Sequence, residues 1–374
     1  MKTRAAVLRE MGAPAPYAES KPLEITELEL DDPGPGELLV EVKAAGLCHS
    51  DLSVINGSRP RVMPMALGHE AAGVVTAVGD GVTAFAEGDH VVLAFVPACG
   101  NCDACRAGRA ALCIDGALAN SQGTLLSGAI RLHDSEGRPI HHHLGVSAFS
   151  DRIVVSERSA VKVDLDLPWE IAALFGCAVL TGVGAAIKSA EIRPGESVAV
   201  FGLGGVGLAA LIGAGLAGAG TIIGVDLVPE KLAIARELGA DEGLLAGEDV
   251  VERIRELTNG GADKTIETVG SAAVLAQAYA ATGRGGSTVT VGLPHPEQKL
   301  SIPAVSLVAD ERTLRGSYLG SCVPALDIPE FIALHRAGKL PVDRLLTGTL
   351  TLDEVNEGFD RLASGEAARQ AIVF

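Results

Sequence analysis

Two rhythms of apolar and polar positions divide the chain. Up to about residue 100, short runs enriched in β-branched residues are broken by Gly and Pro, which predicts strands at 38–42, 71–78 and 90–94 in an antiparallel, barrel-like domain. From Ser197 onward, apolar runs alternate with amphipathic stretches. This pattern predicts strands at 198–201, 221–225, 264–268 and 287–291, interleaved with helices that start at 206 and span 230–238, 250–257 and 273–281. Repeated βα units build a parallel, doubly wound sheet, so the fold class is α/β. The last fifty or so residues predict helices at 328–337 and 353–363 and a short strand near Leu350, able to rejoin the first domain. Between the two patterns lie a cysteine-rich loop at 99–113 and a long polar connection at 114–146 with the run His141, His142, His143. Connections of that length often carry function or form contacts between subunits.

Composition narrows the picture. A chain of 374 residues favours two domains over one core. Aromatics make up 3% of a chain that is 48% hydrophobic, so the core is built from Ala, Val, Leu and Ile, with 46 Gly allowing close approach. A formal charge of −17 repels phosphate backbones and anionic lipid, which argues against nucleic acid and membrane surfaces as partners. The stretch 198–225 is uncharged for 28 residues, yet nine of them are glycines clustered as a turn signal, so it reads as strand, turn and helix rather than as a membrane span. The N-terminus reaches Arg9 and Glu10 before any apolar run of signal-peptide length, so the expected location is cytoplasmic. In that setting Cys48, Cys99, Cys102, Cys105, Cys113, Cys177 and Cys322 point to metal binding or catalysis before disulfides.

Three groups of residues carry chemistry. Gly202, Gly204 and Gly207 follow an apolar strand and open a helix. The first glycine permits a tight turn, the second lets backbone approach a pyrophosphate, and the third lets helix pack on strand, with helix N–H groups facing the anion. Asp226 ends the next strand, nineteen residues after Gly207. A carboxylate there accepts hydrogen bonds from a ribose 2′-hydroxyl and repels a 2′-phosphate, which favours NAD over NADP. The second group, C-x2-C-x2-C-x7-C at Cys99, Cys102, Cys105 and Cys113, can close a tetrahedral shell around a structural zinc. The third is dispersed: Cys48, His69 with Glu70, and Cys177. Two thiolates and an imidazole would leave one zinc position open for chemistry, but spacing alone does not show that they meet.

These motifs together resemble a known family. Cys48-His49-Ser50-Asp51, the run Gly68-His69-Glu70-Ala71-Ala72-Gly73 continuing to Gly79 and Val82, the four-cysteine loop, Gly176-Cys177 and the run Gly202 to Gly207, with Gly205 and Val206 inside it, are similar to the zinc-containing medium-chain alcohol dehydrogenases of the long, liver-type and class III-like branch. The resemblance spans the whole chain, reaching Glu357-Gly358-Phe359, Ser364-Gly365-Glu366 and Arg369. It implies a GroES-like catalytic zinc-binding domain at 1–178 and 318–374 and a Rossmann NAD-binding domain at 179–317. It also implies two zinc ions per subunit. Cys48, His69 and Cys177 would hold the catalytic one, whose Lewis acidity lowers the pKa of a coordinated alcohol. Ser50 would take the alcohol proton and pass it on through the ribose hydroxyl. Asp51 would orient His69, and Glu70 would bind the metal transiently during ligand exchange. For NAD the resemblance implies His49 and Arg369 at the pyrophosphate, Asp226 and Lys231 at the adenosine ribose, and Thr181, Val206, Val291 and Leu293 near the nicotinamide. The substrate pocket would draw on Phe95, Leu118, His143, Leu144 and Tyr318, although His143 taken alone reads as a plain loop histidine.

The chain also departs from its relatives. Liver-type members carry a relay-ending histidine where this chain has Ser53. Glutathione-dependent formaldehyde dehydrogenases grip their thiol adduct with an acidic pair and an arginine, at positions that here hold Gly57, Arg59 and Gly116. The connection at 114–146 resembles the full-length segment of dimeric members, which implies a homodimer; without a partner it would be an Ω-type loop. Cys322 belongs to no motif and reads as packing. The expected activity is reversible hydride transfer between a small alcohol or aldehyde and NAD. The alternatives are a thiol-adduct formaldehyde dehydrogenase, an aldehyde dismutase with tightly bound NAD, and a zinc-bearing binding protein without turnover. A mere binder would need neither Ser50 nor Glu70.

Overall fold

In the computed structural model, which describes residues 1–374, strand Glu37–Gly46 is the spine of the first unit. It pairs antiparallel with Ala71–Val78 on one edge, with Arg152–Ser156 along its first half, and with Gln370–Val373 near its end. Its alternation fails to show in the sequence because apolar residues are buried on both of its faces: Leu38, Val40 and Val42 pack with Phe149 and Phe359, while Leu39 packs with Val154 and Leu132. A strand buried on both faces reads as a continuous apolar run. This sheet has seven strands, and beside it Lys2–Leu8, Leu23–Leu30, Leu132–His133, Pro139–His142 and Met65–Ala66 close a barrel.

The second unit holds a six-stranded parallel sheet ordered Glu242–Leu245, Thr221–Asp226, Ser197–Phe201, Ala262–Glu267, Thr282–Thr290, Thr313–Gly316. The order reverses beside Ser197–Phe201, the switch point where doubly wound sheets bind ligands at the carboxyl ends of their strands. Ala199, Phe201, Ile223, Val225 and Ala262 pack there against Ile254 and Ala278 of two covering helices. Helix Gly205–Leu216 follows the first strand of the sheet and is buried along most of its length, which its small residues permit. The α/β class and both kinds of sheet agree with the sequence reading.

Several details differ from it. The connection at 114–146 is no unstructured polar loop: it contains helix Ile114–Gln122 and two barrel strands, because Leu125, Leu132 and Ile140 are buried with Ala5, Val7 and Leu28. The stretch 198–225 is strand, helix and strand as read from the sequence, but the long apolar helix Trp169–Ser189, with 89% of its most apolar window buried inside the protein, is not among the elements the sequence predicts. The units also divide differently from the expected bounds. One comprises Met1–Cys177, Val323–Ile332 and Leu346–Phe374, the other Ala178–Cys322 and Ala333–Leu345. Residues 318–322 stay with the second unit because the turn at Leu319–Ser321 packs on helix Leu180–Gly184, where a Cβ on Gly184 would meet Cys322 Sγ and the Gly320 carbonyl. Arg344 stays there too, donating to the Glu237 carbonyl at 2.9 Å.

Candidate active site and metal centres

Three backbone constraints bring Cys48, His69 and Cys177 together. Cys48 is extended, at the N-terminal cap of helix His49–Ile55 just beyond the spine strand. His69 follows Gly68, whose φ of +91° suits glycine and whose Cβ would strike the Phe149 backbone, so the chain turns there in close packing. Cys177 lies in a π-helical turn, Phe175–Val179, and the preceding Gly176 lets that turn press on the Leu93 carbonyl, where a Cβ has no room. A π turn inside an α-helix re-aims one side chain and recurs at functional sites. The ligand atoms of the three residues all lie within 4.8 Å of one another, with Cys177 Sγ 3.5 Å from His69 Nε2. All three side chains are buried. The Cys48 thiol is held well below its usual range, first by a hydrogen bond from Cys177, then by His69 and Arg369, against the opposing effect of burial. A soft, thiolate-ready donor set of this size fits zinc, and three protein donors leave one tetrahedral position for another ligand.

Behind His69 sits Asp51. Its Oδ1 accepts from the Gly68 N–H at 3.1 Å and from His69 Nδ1 at 3.1 Å, and His143 Nδ1 approaches the same oxygen at 3.0 Å. Burial opposes ionisation of Asp51, but His69 and His143 outweigh it and hold the carboxyl at about 2. Burial likewise disfavours a charged His69, and Asp51 and Cys48 reverse that, raising it to about 10. For His143 burial dominates and lowers the value. On the other flank, buried Glu70 and Arg369 form an ion pair, and Arg369 Nη1 donates to the Leu47 carbonyl at 2.9 Å. Gly46 is required there, since a Cβ would overlap the Glu70 carboxylate. Arg369, expected at a pyrophosphate, therefore already has two partners in the first unit.

Ser50 is half-buried on the same short helix, and His49 is exposed. Ser53, at the relay-ending position, donates to the His49 carbonyl at 2.8 Å. Of the expected pocket residues, Phe95 meets the His69 ring edge-on with centroids 5.3 Å apart. His143 does the same at 5.5 Å, and Leu144 is buried beside it with φ of +54°. Leu118 is exposed on helix Ile114–Gln122, and Tyr318 belongs to the second unit.

The four-cysteine group is also gathered, its sulfurs all within 4.8 Å of one another. Backbone N–H groups point at the sulfurs: Cys113 Sγ accepts from Cys99 at 3.2 Å and Gly116 at 3.3 Å, and Cys99 Sγ accepts from Asn101 and Cys102 at 3.4 Å. Cys102 is lowered to about 6, first by backbone N–H groups of Cys105 and Ile114, while burial and the neighbouring sulfurs push Cys105 up to about 12. Four clustered thiolates repel one another, and a dication removes that conflict.

In the second unit the glycine-rich turn has the shape its sequence predicts. Gly202 has φ of +90°, and a Cβ on Gly207 would run into the Gly202 carbonyl. Asp226 accepts from the Leu203 N–H at 2.6 Å and from the Val228 N–H at 3.0 Å, so this carboxylate braces the turn as well as ending the strand. Thr181 is buried with its hydroxyl unpartnered; Lys231 and Val291 are partly exposed and Leu293 exposed. The pairing of Glu70 with Arg369, the approach of His143 to Asp51 and the π turn have no signal in the sequence.

Comparison with known proteins agrees with this geometry. Residues 34–165 match the family model described as alcohol dehydrogenase GroES-like domain, and 205–336 match that described as zinc-binding dehydrogenase. The chain is 40% identical over 377 residues to the NDMA-dependent alcohol dehydrogenase of Amycolatopsis methanolica, spanning 100% of this chain and 99% of the relative. It is 37% identical over 384 residues to S-(hydroxymethyl)glutathione dehydrogenase of Paracoccus denitrificans, over 100% of both. The crystal structure of benzyl alcohol dehydrogenase from Acinetobacter calcoaceticus is similar with a TM-score of 0.92 at 33% identity, covering 100% of this chain and 99% of that one. With fold, ligand clusters and full-length matches in agreement, the chain belongs to the zinc-containing medium-chain alcohol dehydrogenase family of oxidoreductases.

Proposed function

We propose that the protein catalyses reversible hydride transfer between a small-molecule alcohol or aldehyde and NAD. The observation that carries this reading is the convergence of Cys48, His69 and Cys177 in one buried cluster. These residues would hold a catalytic zinc, and Cys99, Cys102, Cys105 and Cys113 a structural one. Bound at the first cluster, zinc supplies a Lewis acid that eases loss of the alcohol proton. The chain's own residues do the rest. Asp51 holds the His69 ring so that Nε2 faces the two thiols. Ser50, two residues from Cys48, would accept the alcohol proton and pass it on, and a bound nicotinamide would supply the acceptor for the hydride. Glu70 is kept close by Arg369 and serves ligand exchange. For the dinucleotide, the turn Gly202 to Gly207, with Val206, would receive the pyrophosphate on helix N–H groups; the family resemblance assigns His49 and Arg369 to the same group. Asp226 and Lys231 would hold the adenosine ribose, and Thr181, Val291 and Leu293 the nicotinamide side; the unpartnered Thr181 hydroxyl supports that role.

The test is a panel of alcohols and aldehydes, benzylic ones included, on zinc-replete protein with NAD or NADH. Growth or loss of NADH absorbance is expected; no change with any member defeats the reading. A second form of this reading is an aldehyde dismutase in which NAD stays bound through turnover; dependence on an added acceptor, as in the name of the NDMA-dependent relative, is compatible with it. Stoichiometric nucleotide released on denaturing the purified protein would distinguish that form. A glutathione adduct as substrate is disfavoured here, because a Cβ on Gly116 would overlap the Pro97 carbonyl and no gripping side chain fits there. The expected assembly is a homodimer, supported by an edge strand, Thr313–Gly316, and by exposed Val305 and Val308 on the neighbouring helix Ala304–Ala309. Light scattering reads its mass directly.

A further inference from the structure

We propose that His143 is a positioning residue: its Nδ1–H faces the same Asp51 oxygen as His69 Nδ1, steadies that carboxylate and thereby fixes the His69 ring for metal binding. The inference rests on the reading of Cys48, His69 and Cys177 as a zinc site.

One carboxylate oxygen carries the argument. Asp51 Oδ1 has three N–H groups around it: Gly68 N at 3.1 Å, His69 Nδ1 at 3.1 Å and His143 Nδ1 at 3.0 Å. The His143 approach is off the line of an ideal hydrogen bond, so it acts through the dipole of its ring N–H on a carboxylate that is fully buried. In a dry site such an approach is strong. His69 Nδ1 straddles the carboxylate, 3.1 Å from Oδ1 and from Oδ2, so that pair alone leaves the carboxylate free to slide toward either oxygen; Gly68 N–H and His143 Nδ1, both on Oδ1, fix which way it faces. Their rings stand at 88° to each other, so His143 meets His69 edge-on and restricts it from a second direction.

The chain also holds His143 in place at some cost. It follows strand Pro139–His142, and its own N–H donates to Ser147 Oγ at 3.0 Å while its carbonyl accepts from the N–H groups of Val146 and Ser147. The same turn carries two non-glycine residues with positive φ, Leu144 at +54° and Ser147 at +58°. Such conformations are unfavourable unless the surroundings impose them. The turn that stores them is the one that aims the His143 ring at Asp51.

The test separates this role from packing. His143→Phe keeps an aromatic edge against His69 and removes the donor; His143→Asn keeps an N–H near the Nδ1 position and removes the ring. Zinc release from each purified protein into a chromogenic chelator is followed, with Cys48→Ser identifying the phase that belongs to the Cys48 cluster. Loss of the direct partner of a metal-bound histidine weakens metal binding about 10–100-fold, and His143, which acts on that partner, belongs at the low end. The Phe variant is therefore expected to release that zinc at least about tenfold faster, with Asn near wild type. Cobalt-substituted protein gives an independent reading, a shifted visible absorption in Phe that returns in Asn. Release from Phe close to the wild-type rate, or Asn faster than Phe, overturns the proposal while leaving the zinc site standing. If wild type shows no phase that Cys48→Ser removes, the zinc reading fails and this inference fails with it.

Discussion

Acid should weaken the protein through His142, and the size of the effect follows from its surroundings. The residue ends strand Pro139–His142 and is completely buried. Its Nε2 accepts the Arg131 N–H at 3.0 Å, so the neutral ring carries its proton on Nδ1, 3.4 Å from Ser147 Oγ. Burial first, then the positive neighbours His141, Arg131 and His133, lower it from 6.5 to about 3. Because the unfolded chain binds this proton more readily, the contribution is complete above about pH 6.5 and is lost as pH falls toward 3. The loss is about 1.4 kcal/mol per pH unit, hence roughly 2 kcal/mol by pH 5. His142→Gln keeps an acceptor near the Nε2 position and cannot be protonated. Its expected cost is about 1 kcal/mol at pH 7.5, the usual net worth of an altered hydrogen bond. At pH 5 the order reverses, and the variant is the more stable by about 1 kcal/mol. Urea unfolding of both proteins at pH 7.5, 6 and 5 measures this, since other titrating groups are common to the pair. A constant difference across that range would refute the reasoning.

Four further outcomes are expected. Cys48→Ser abolishes turnover and lowers bound zinc by one equivalent with the fold intact by circular dichroism; unaltered kcat would refute the ligand assignment. Cys102→Ser also loses one zinc but acts on stability, because a closed site contributes folding free energy, and unchanged thermal unfolding would count against it. Asp226→Gly raises kcat/KM for NADP relative to NAD by about tenfold or more, and since it also removes two acceptors from the glycine-rich turn, NAD itself binds more weakly. Arg369→Met destabilises by about 3–5 kcal/mol by leaving Glu70 buried and unpaired, and adding Glu70→Leu recovers part of that loss in chemical denaturation; purely additive effects would show the pair is uncoupled.

How much of this was legible in the sequence depended on the range of the physics behind each feature. The glycine-rich turn is local: Gly202 needs its positive φ and Gly207 its missing Cβ within six residues of each other, so the motif declares itself. The four cysteines are close in sequence for the same reason, and their spacing was sufficient. Strands such as Leu132–His133 and Pro139–His142 are too short to display a period, and helix Trp169–Ser189 is apolar on all sides, so neither gave a rhythm to read. The dispersed ligands became readable only through resemblance, because chain spacing says nothing about where Cys177 meets His69. Glu70 and Arg369 lie 299 residues apart and left no trace at all.

Close backbone packing fixes the positions of the candidate zinc ligands. Each of the three candidate zinc ligands sits beside a position that tolerates no side chain or that carries an unusual turn: Gly46 against Glu70, Gly68 before His69, and Gly176 within the π turn of Cys177. At each of these places backbone approaches backbone or a buried charge, so a displaced ligand would require a whole strand or helix to move. Rotation of the side chains is the freedom that remains, and hydrogen bonds act on that freedom. Asp51 restrains His69, and Arg369 restrains Glu70 while also holding the Leu47 carbonyl next to Cys48. Glycines thus set where the donors are, and buried ion pairs set which way they face. It follows that substitutions at the glycines should damage folding and metal content together, whereas substitutions at the charged partners should change metal release and exchange before they change the fold.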